Sequence, residues 1–276
     1  AMVSVGLGKD ELDRAIALFK AGADHIVIDV AHGAQQAVAD QANAIRGLLP
    51  KAYIMVGNFA SADSVKEFLE RSNGSVDAIK VGVGPGSACT TRIKTGVGVP
   101  QLSAVMEIAK LLKNTKIQIV ADGGMKTPGD IAKALGAGAH LVMLGGMLAG
   151  TLESPGEIGE IYIDSNKVSV NSLEGKLEDF LSAPNVKIAS KKYRGSASQE
   201  AYDAQGKSGS HRTAEGESFL VPYKGSVVNI LADIEGGIRS AMTYVGARNL
   251  DEFRARCEFV RISHATAKEN GAHGKL

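Results

Sequence analysis

Cys89 stands in a loop followed by Thr90, Thr91 and Arg92, with Lys94 close behind. A thiol in such polar, cationic surroundings is a candidate nucleophile, because the thiolate is the reactive form and neighbouring positive charge stabilises it. Two glycine turns, Asp122-Gly123-Gly124 and Leu144-Gly145-Gly146, offer bare main-chain N–H groups that can cradle a phosphate. The same glycines would serve equally as tight turns. Asp29 and His32 close one apolar run, and Gly57 with Asn58 closes another, so further polar groups stand ready to meet a ligand. Cys257, in a helical and charged stretch, reads instead as an inert thiol.

Several other chemistries fail on spacing. The run at 82–87 reads G-x-G-x-G with no helix directly after it, which is not the dinucleotide fingerprint. Gly206-Lys207-Ser208 has Ala201 where a phosphate-binding Walker loop needs its first glycine. The histidines His25, His32, His140, His211, His264 and His273 form no i, i+4 pair and have no cysteine at zinc-ligand spacing. No serine lies in a G-x-S-x-G turn. His25 and His140 open strands and are expected to be solvent-facing or hydrogen-bonded in place.

Elements must gather these groups. Apolar, mostly β-branched runs at 3–7, 25–30, 53–57, 78–84, 117–121 and 140–146 alternate with amphipathic segments at 11–21, 34–49, 61–71, 101–113 and 128–137. That rhythm predicts parallel strands joined by crossover helices, buried on both faces. Ser61 and Thr127 are predicted helix caps, with Pro128 at the first helical position. A polar or glycine residue ends nearly every strand, and a barrel gathers its chemistry at that face. A polar insertion is expected at about 157–192 and a mobile flap at about 199–217, followed by a helix over 226–242 and a small strand near Val260.

Composition sets the outer bounds. The 276 residues are 44% hydrophobic, ample for a core, so disorder and fibrous folds are excluded. With 31 basic and 30 acidic residues the net charge is +1, which excludes the basic excess needed to bind nucleic acid. Two distant cysteines make no disulfide framework, and no apolar run reaches the ~20 residues of a membrane span. The chain is therefore expected in the cytoplasm, without a membrane or nucleic-acid partner.

Several long stretches resemble the family of IMP dehydrogenases and GMP reductases: DVAHG from Asp29, GVGPGSACTTRIKTGVG from Gly82, ADGGMKTPGD from Ala121, YRGSAS from Tyr193, AEGESFLVPYKG from Ala214 and IRSAMTYVGA from Ile238. The resemblance covers most of the chain. It implies a TIM-type (β/α)8 barrel, a single catalytic domain over 1–276, that binds a purine ribonucleotide monophosphate, GMP or IMP. It also implies attack by Cys89 on carbon 2 of the base. Asp122 matches the carboxylate that holds the ribose hydroxyls. Ser87, Gly124, Gly145, Gly146, Tyr193, Gly195, Ser196, Arg212 and Gly216 match nucleotide-binding positions. Thr91 and Glu215 match the pair that handles protons on the departing amine. Asp29, Ala31, His32 and Asn58 lie where the nicotinamide cofactor, NADPH, is contacted. Gly84, Gly86 and the Cys89 carbonyl match a monovalent-cation site for K+. A homotetramer is implied too.

The loop at 199–214 is short and holds His211, Arg212 and Thr213 where the dehydrogenases carry an Arg-Tyr pair, and RIKTGVGVPQLSAVME looks more like the reductases. GMP reductase, converting GMP to IMP and ammonia, is the resulting expectation. The alternatives are IMP dehydrogenase using NAD, and a truncated, non-catalytic nucleotide-binding homologue. The last arises because 3–7 corresponds to the third strand of the family barrel. The first two have no counterpart, and six strands alone leave bare sheet edges.

Overall fold

Residues 1–164, 185–204 and 213–263 are described by the structure, a computed structural model. Six strands form one parallel sheet in consecutive order: β1 Met2–Val5, β2 His25–Asp29, β3 Tyr53–Phe59, β4 Ala78–Val81, β5 Gln118–Asp122 and β6 Leu141–Met143. Between them run α1 Lys9–Lys20, α2 Gln36–Leu48, α3 Ala62–Arg71, α4 Thr91–Thr95, α5 Gln101–Leu112 and α6 Pro128–Gly136. This is the parallel, one-directional arc of a TIM-type barrel.

Strand alternation sorts the side chains into two layers. Ile26, Ile28, Ile54, Val56, Ile79, Val81 and Ile119 turn outward onto Val38, Ile45, Phe68 and Ile108 of the helices. Val27, Met55, Ala78 and Val120 turn to the opposite, concave face. Asp29, Gly57 and Lys80 follow in the same register row, so the concave face becomes polar at the C-terminal strand ends. The expected caps are present: Ser61 Oγ accepts from the Ser64 N–H, while Thr127 and Asp130 form a reciprocal capping box with Pro128 in the first turn. His25 is bonded to Asp24 at 2.6 Å, and His140 accepts from the Ile119 N–H at 3.1 Å.

The stretch expected as an insertion contributes strands. β7 Ile158–Asp164 and β8 Asn185–Arg194 pair antiparallel, and β9 Ser218–Pro222 adds to β8. Lys191 fastens this second sheet to the turn after β6: its buried ammonium donates to the carbonyls of Thr151, Leu152 and Ser154 at 2.9, 3.2 and 2.6 Å. Glu153 in that turn accepts from the Val227 N–H and the Ser226 hydroxyl, which hold its carboxyl below the usual range.

The region expected as a flap at 199–217 opens with a helix, α7 Gln199–Ala204, and its positions 205–212 lie outside the described residues. One correction concerns the C-terminal half: the run at 260–263 forms no strand, and Val260 is 84% exposed. The helix expected at 226–242 is α8 Val227–Tyr244, capped by Ser226, and it packs on α6 together with α9 Leu250–Arg256 around Ile131, Leu135, Ile234 and Phe253. Among the described residues no helix is long and apolar enough to cross a membrane.

Candidate active site

β4 ends at Val81, and the chain then turns through glycines into a loop that carries Ser87 and Cys89 before α4 begins at Thr91. Cys89 Sγ lies 3.2 Å from Thr91 Oγ1, and that hydroxyl donates to Glu215 Oε2 at 2.6 Å. A thiol, a hydroxyl and a carboxylate thus form one continuous chain. Backbone bonds hold it in register. Thr90 N–H donates to the Glu215 carbonyl at 2.8 Å and Glu217 N–H to the Ala88 carbonyl at 2.8 Å. On the far side, Glu215 N–H reaches the Ala197 carbonyl at 3.1 Å and Gly195 N–H the Glu217 carbonyl at 3.0 Å. The segment carrying Glu215 is therefore clamped between the Cys89 loop and the turn after β8. Gly216 bridges both Cys89 and Ser198.

Arg92 does not serve the sulfur. Its guanidinium donates to the Val83 and Val99 carbonyls at 3.1 and 2.6 Å and ties the loop together, and Lys94 is exposed. The expectation that these cations flank the thiol is corrected: a side chain three positions on crosses the loop base, and the group beside Cys89 is the Thr91 hydroxyl.

A second focus lies where β6 ends. A Cβ at Gly145 would stand 2.7 Å from Tyr193 Oη, and one at Gly146 would stand 2.7 Å from Ser87 Oγ. Two hydroxyls, one from the Cys89 loop and one from β8, therefore converge on two exposed glycines. No protein acceptor among the described residues engages the Gly145 and Gly146 N–H groups. Gly124 is also exposed, packs on Pro85 and has φ +85°, so its turn requires glycine. Hydroxyl and amide donors together form a cradle suited to an anion. Of the expected residues, Ser87, Gly145, Gly146 and Tyr193 are gathered here, and Gly124 lies on the turn after β5 against Pro85. Gly195 packs against the Ala88 carbonyl, and Ser196 is exposed on the neighbouring turn. Arg212 and His211 lie outside the described residues.

At the C-terminal ends of β2 to β5 sits a group that sequence reasoning missed. Lys80 is 2% exposed, and its ammonium meets Asp122 Oδ2 at 2.5 Å, Asp29 Oδ1 at 3.0 Å and Asn58 Oδ1. Asn58 Nδ2 in turn donates to Asp122 Oδ2 at 2.9 Å and to the Gly82 carbonyl. Gly57 makes the crossing possible, since a Cβ there would fall 2.5 Å from Lys80 Cβ. The available signal was a single charged residue inside the otherwise apolar run at 78–84.

Of the residues expected at a cofactor, Asp29 keeps 43% exposure and commits one oxygen to Lys80, so it fits an outward contact. Ala31 is exposed, whereas His32 Nδ1 accepts from the Ala34 N–H at 3.3 Å. Asn58 is engaged at both amide atoms within the frame. Gly84, at φ +73°, and Gly86 lie on the Cys89 loop, and the Gly86 carbonyl accepts from the Cys89 N–H at 3.1 Å.

Comparison with known proteins gives a consistent neighbourhood. The profile of the IMP dehydrogenase / GMP reductase domain matches residues 1–273. Inosine-5'-monophosphate dehydrogenase of Aquifex aeolicus is 43% identical over 270 residues, 98% of this chain and 51% of that protein. GMP reductase of Shewanella pealeana is 42% identical over 251 residues, 91% of this chain and 64% of that one. The crystal structure of a Cys-to-Ala variant of GMP reductase from Trypanosoma brucei, in complex with guanosine 5'-monophosphate, matches with a TM-score of 0.83 at 36% identity, covering 99% of this chain and 52% of that chain. The chain thus spans about half the length of the dehydrogenase it matches.

Proposed function

Because this chain belongs to the IMP dehydrogenase and GMP reductase family, we propose that it serves the NADPH-dependent reductive deamination of GMP to IMP and ammonia. The observation that carries this reading is the chain from the Cys89 thiol through Thr91 Oγ1 to the Glu215 carboxylate. The substitution at carbon 2 needs a nucleophile and a proton route to the leaving amine, and these three groups supply both.

Cys89 sulfur adds to carbon 2 of the purine, forming a C–S bond while its proton is taken up on the nucleotide. With Glu215 protonated before the step, the Thr91 hydroxyl gives its proton to the 2-amino nitrogen and takes one from Glu215, and the C–N bond breaks with its electron pair on nitrogen, releasing ammonia and leaving Glu215 as the carboxylate. What remains is a thioimidate joined to Cys89. The nicotinamide cofactor, when bound, supplies hydride to carbon 2. The C–S bond then breaks, its electron pair and the proton that the nucleotide took up at the start return to sulfur, and IMP leaves. Asp122 holds the ribose, the Ser87, Gly145, Gly146 and Tyr193 cradle anchors the phosphate, and Asp29 with Ala31 borders the cofactor. The carbonyls of Gly84, Gly86 and Cys89 would hold K+, a cation suited to neutral oxygen donors, which would brace the loop.

Oxidation of IMP with NAD is the second reading, favoured by the 43% identity to the Aquifex aeolicus dehydrogenase. Absorbance of the reduced nicotinamide separates the two, falling with GMP and NADPH in one case and rising with IMP and NAD in the other. Cys89→Ala is expected to abolish turnover while GMP still binds. Full activity in that variant overturns the covalent route, and GMP binding without reaction under either pair favours a non-catalytic homologue.

A further inference from the structure

We propose that Lys80 is a positioning residue that sets recognition of the ribose diol through Asp122; the inference rests on the nucleotide reading above. Its ammonium has three hydrogens and three acceptors, on Asp122, Asp29 and Asn58, and its side chain is 2% exposed. Lys80 and Asn58 both bond the same oxygen of Asp122, Oδ2, whereas no donor among the described residues reaches Oδ1. Two bonds on one oxygen fix the plane of the carboxylate. The other oxygen is left as a preset acceptor at the open end of the strands, where Asp122 retains 22% exposure.

Recognition of a diol by a carboxylate depends on that fixity. An untethered aspartate rotates about its last torsion and exchanges its partners with water, and each hydrogen bond it offers a ligand then has to be ordered first. Lys80 also stands between two carboxylates, Asp29 in its own register row across Gly57 and Asp122 two residues beyond its β5 partner Val120. Removing its charge leaves both facing each other without a counter-ion, and the Asp122 carboxylate is no longer held in place.

The experiment compares calorimetric binding of GMP with that of 2',3'-dideoxy-GMP, which keeps base and phosphate and lacks the diol. The unaltered chain is expected to prefer GMP by ~10- to 150-fold, the range for hydrogen bonds to a charged group. In Lys80→Met, an uncharged side chain of similar length, GMP affinity is expected to fall to that of the dideoxy analogue, whose own affinity moves by less than about threefold. Parallel weakening of both nucleotides means that Lys80 only supports the fold and overturns the proposal, as does discrimination that survives the substitution. If circular dichroism shows Lys80→Met unfolded, Lys80→Met/Asp29→Asn, which removes one of the opposed charges, carries the same comparison with the same expected loss. An unaltered chain that binds neither nucleotide refutes the nucleotide reading itself. One that binds both equally refutes the assignment of Asp122 to the ribose.

Discussion

Gly145→Ala separates the two roles that a glycine turn can have. Gly123 and Gly124 sit at φ +77° and +85°, where the backbone itself demands glycine, but Gly145 and Gly146 are not in that region. If the second turn were only a turn, alanine at 145 would leave binding untouched and would stabilise the fold by ~0.4–1 kcal/mol through the unfolded chain. The structure argues otherwise. The new methyl would stand 2.7 Å from Tyr193 Oη, short of the 3.4 Å at which ordinary contact begins. Tyr193 is rigid and backed edge-on by Phe219 at 5.5 Å, so the hydroxyl is displaced and the methyl fills the space between donors. Loss of one bond to a phosphate oxygen is worth ~1.5–3 kcal/mol, a weakening of GMP binding by ~10- to 150-fold. Calorimetric titration with GMP, run beside guanosine, reads this directly, because guanosine lacks the phosphate and should bind both proteins alike. A folded Gly145→Ala chain that binds GMP as tightly as the unaltered one refutes the cradle.

Other consequences are equally direct. Glu215→Gln keeps the size of the group but removes its proton, and turnover should fall by ~10²- to 10⁴-fold while GMP affinity, measured by calorimetry, stays within a few-fold. Thr91→Val should behave the same way, since it breaks the 2.6 Å bond in the middle of the chain. At Gly216 a Cβ would meet the Ser198 nitrogen at 3.0 Å, the Ala197 carbonyl carbon at 3.1 Å and the Ala88 carbonyl oxygen at 3.3 Å, all of them backbone. Gly216→Ala is therefore expected to shift Glu215 against Cys89 and lower steady-state turnover. His140 is held below its ordinary pKa of 6.5, by burial first and then by the Arg254 charge. The unfolded chain then binds the extra proton more readily. Stability from this group is complete above pH 6.5 and declines as the pH falls from there toward the folded pKa. Melting curves between pH 7 and pH 5 should show a shallow decline that His140→Gln flattens.

The layout of the parallel sheet was legible because its signals are local. Short β-branched runs, the caps at Ser61 and Thr127 and Pro128 in the first turn each announce an element within a few residues. The site was legible unevenly. Cys89 and Thr91 are two residues apart, whereas Thr91 and Glu215 are 124 apart, and no periodicity joins them; only the likeness of AEGESFLVPYKG to a known motif did so. Arg92 and Lys94 misled because proximity in sequence does not fix where a long side chain bonds, and the Val83 and Val99 carbonyls were nearer partners for the guanidinium. β7 and β8 were read as an insertion because their mixed polar composition hides strand alternation, and because antiparallel pairing depends on a partner remote in sequence. Lys80 was visible as an anomaly, a charge in a buried strand, but its meaning needed the three acceptors around it.

Those three acceptors also explain why the concave face can be polar at its rim without being loose. Inside the arc, Val27, Met55, Ala78 and Val120 form an apolar layer that excludes water beneath the rim. On such a floor an isolated carboxylate would be strongly disfavoured, whereas one held by an ammonium and an amide is stable and immobile. The rim is thus built rigid first, from Asp29, Asn58, Lys80 and Asp122. Cys89, Thr91 and Glu215 are added on segments that are pinned by main-chain bonds, from Thr90 to Glu215 and from Glu217 to Ala88. The two kinds of support have different sensitivities. Electrostatic changes at the rim should alter how the sugar is held, and backbone changes at the clamp should alter how the sulfur and its proton relay meet. On the proposed reading, affinity and turnover should therefore be separable by mutation in this chain, because different physical interactions hold the Asp122 carboxylate and the Cys89, Thr91, Glu215 chain.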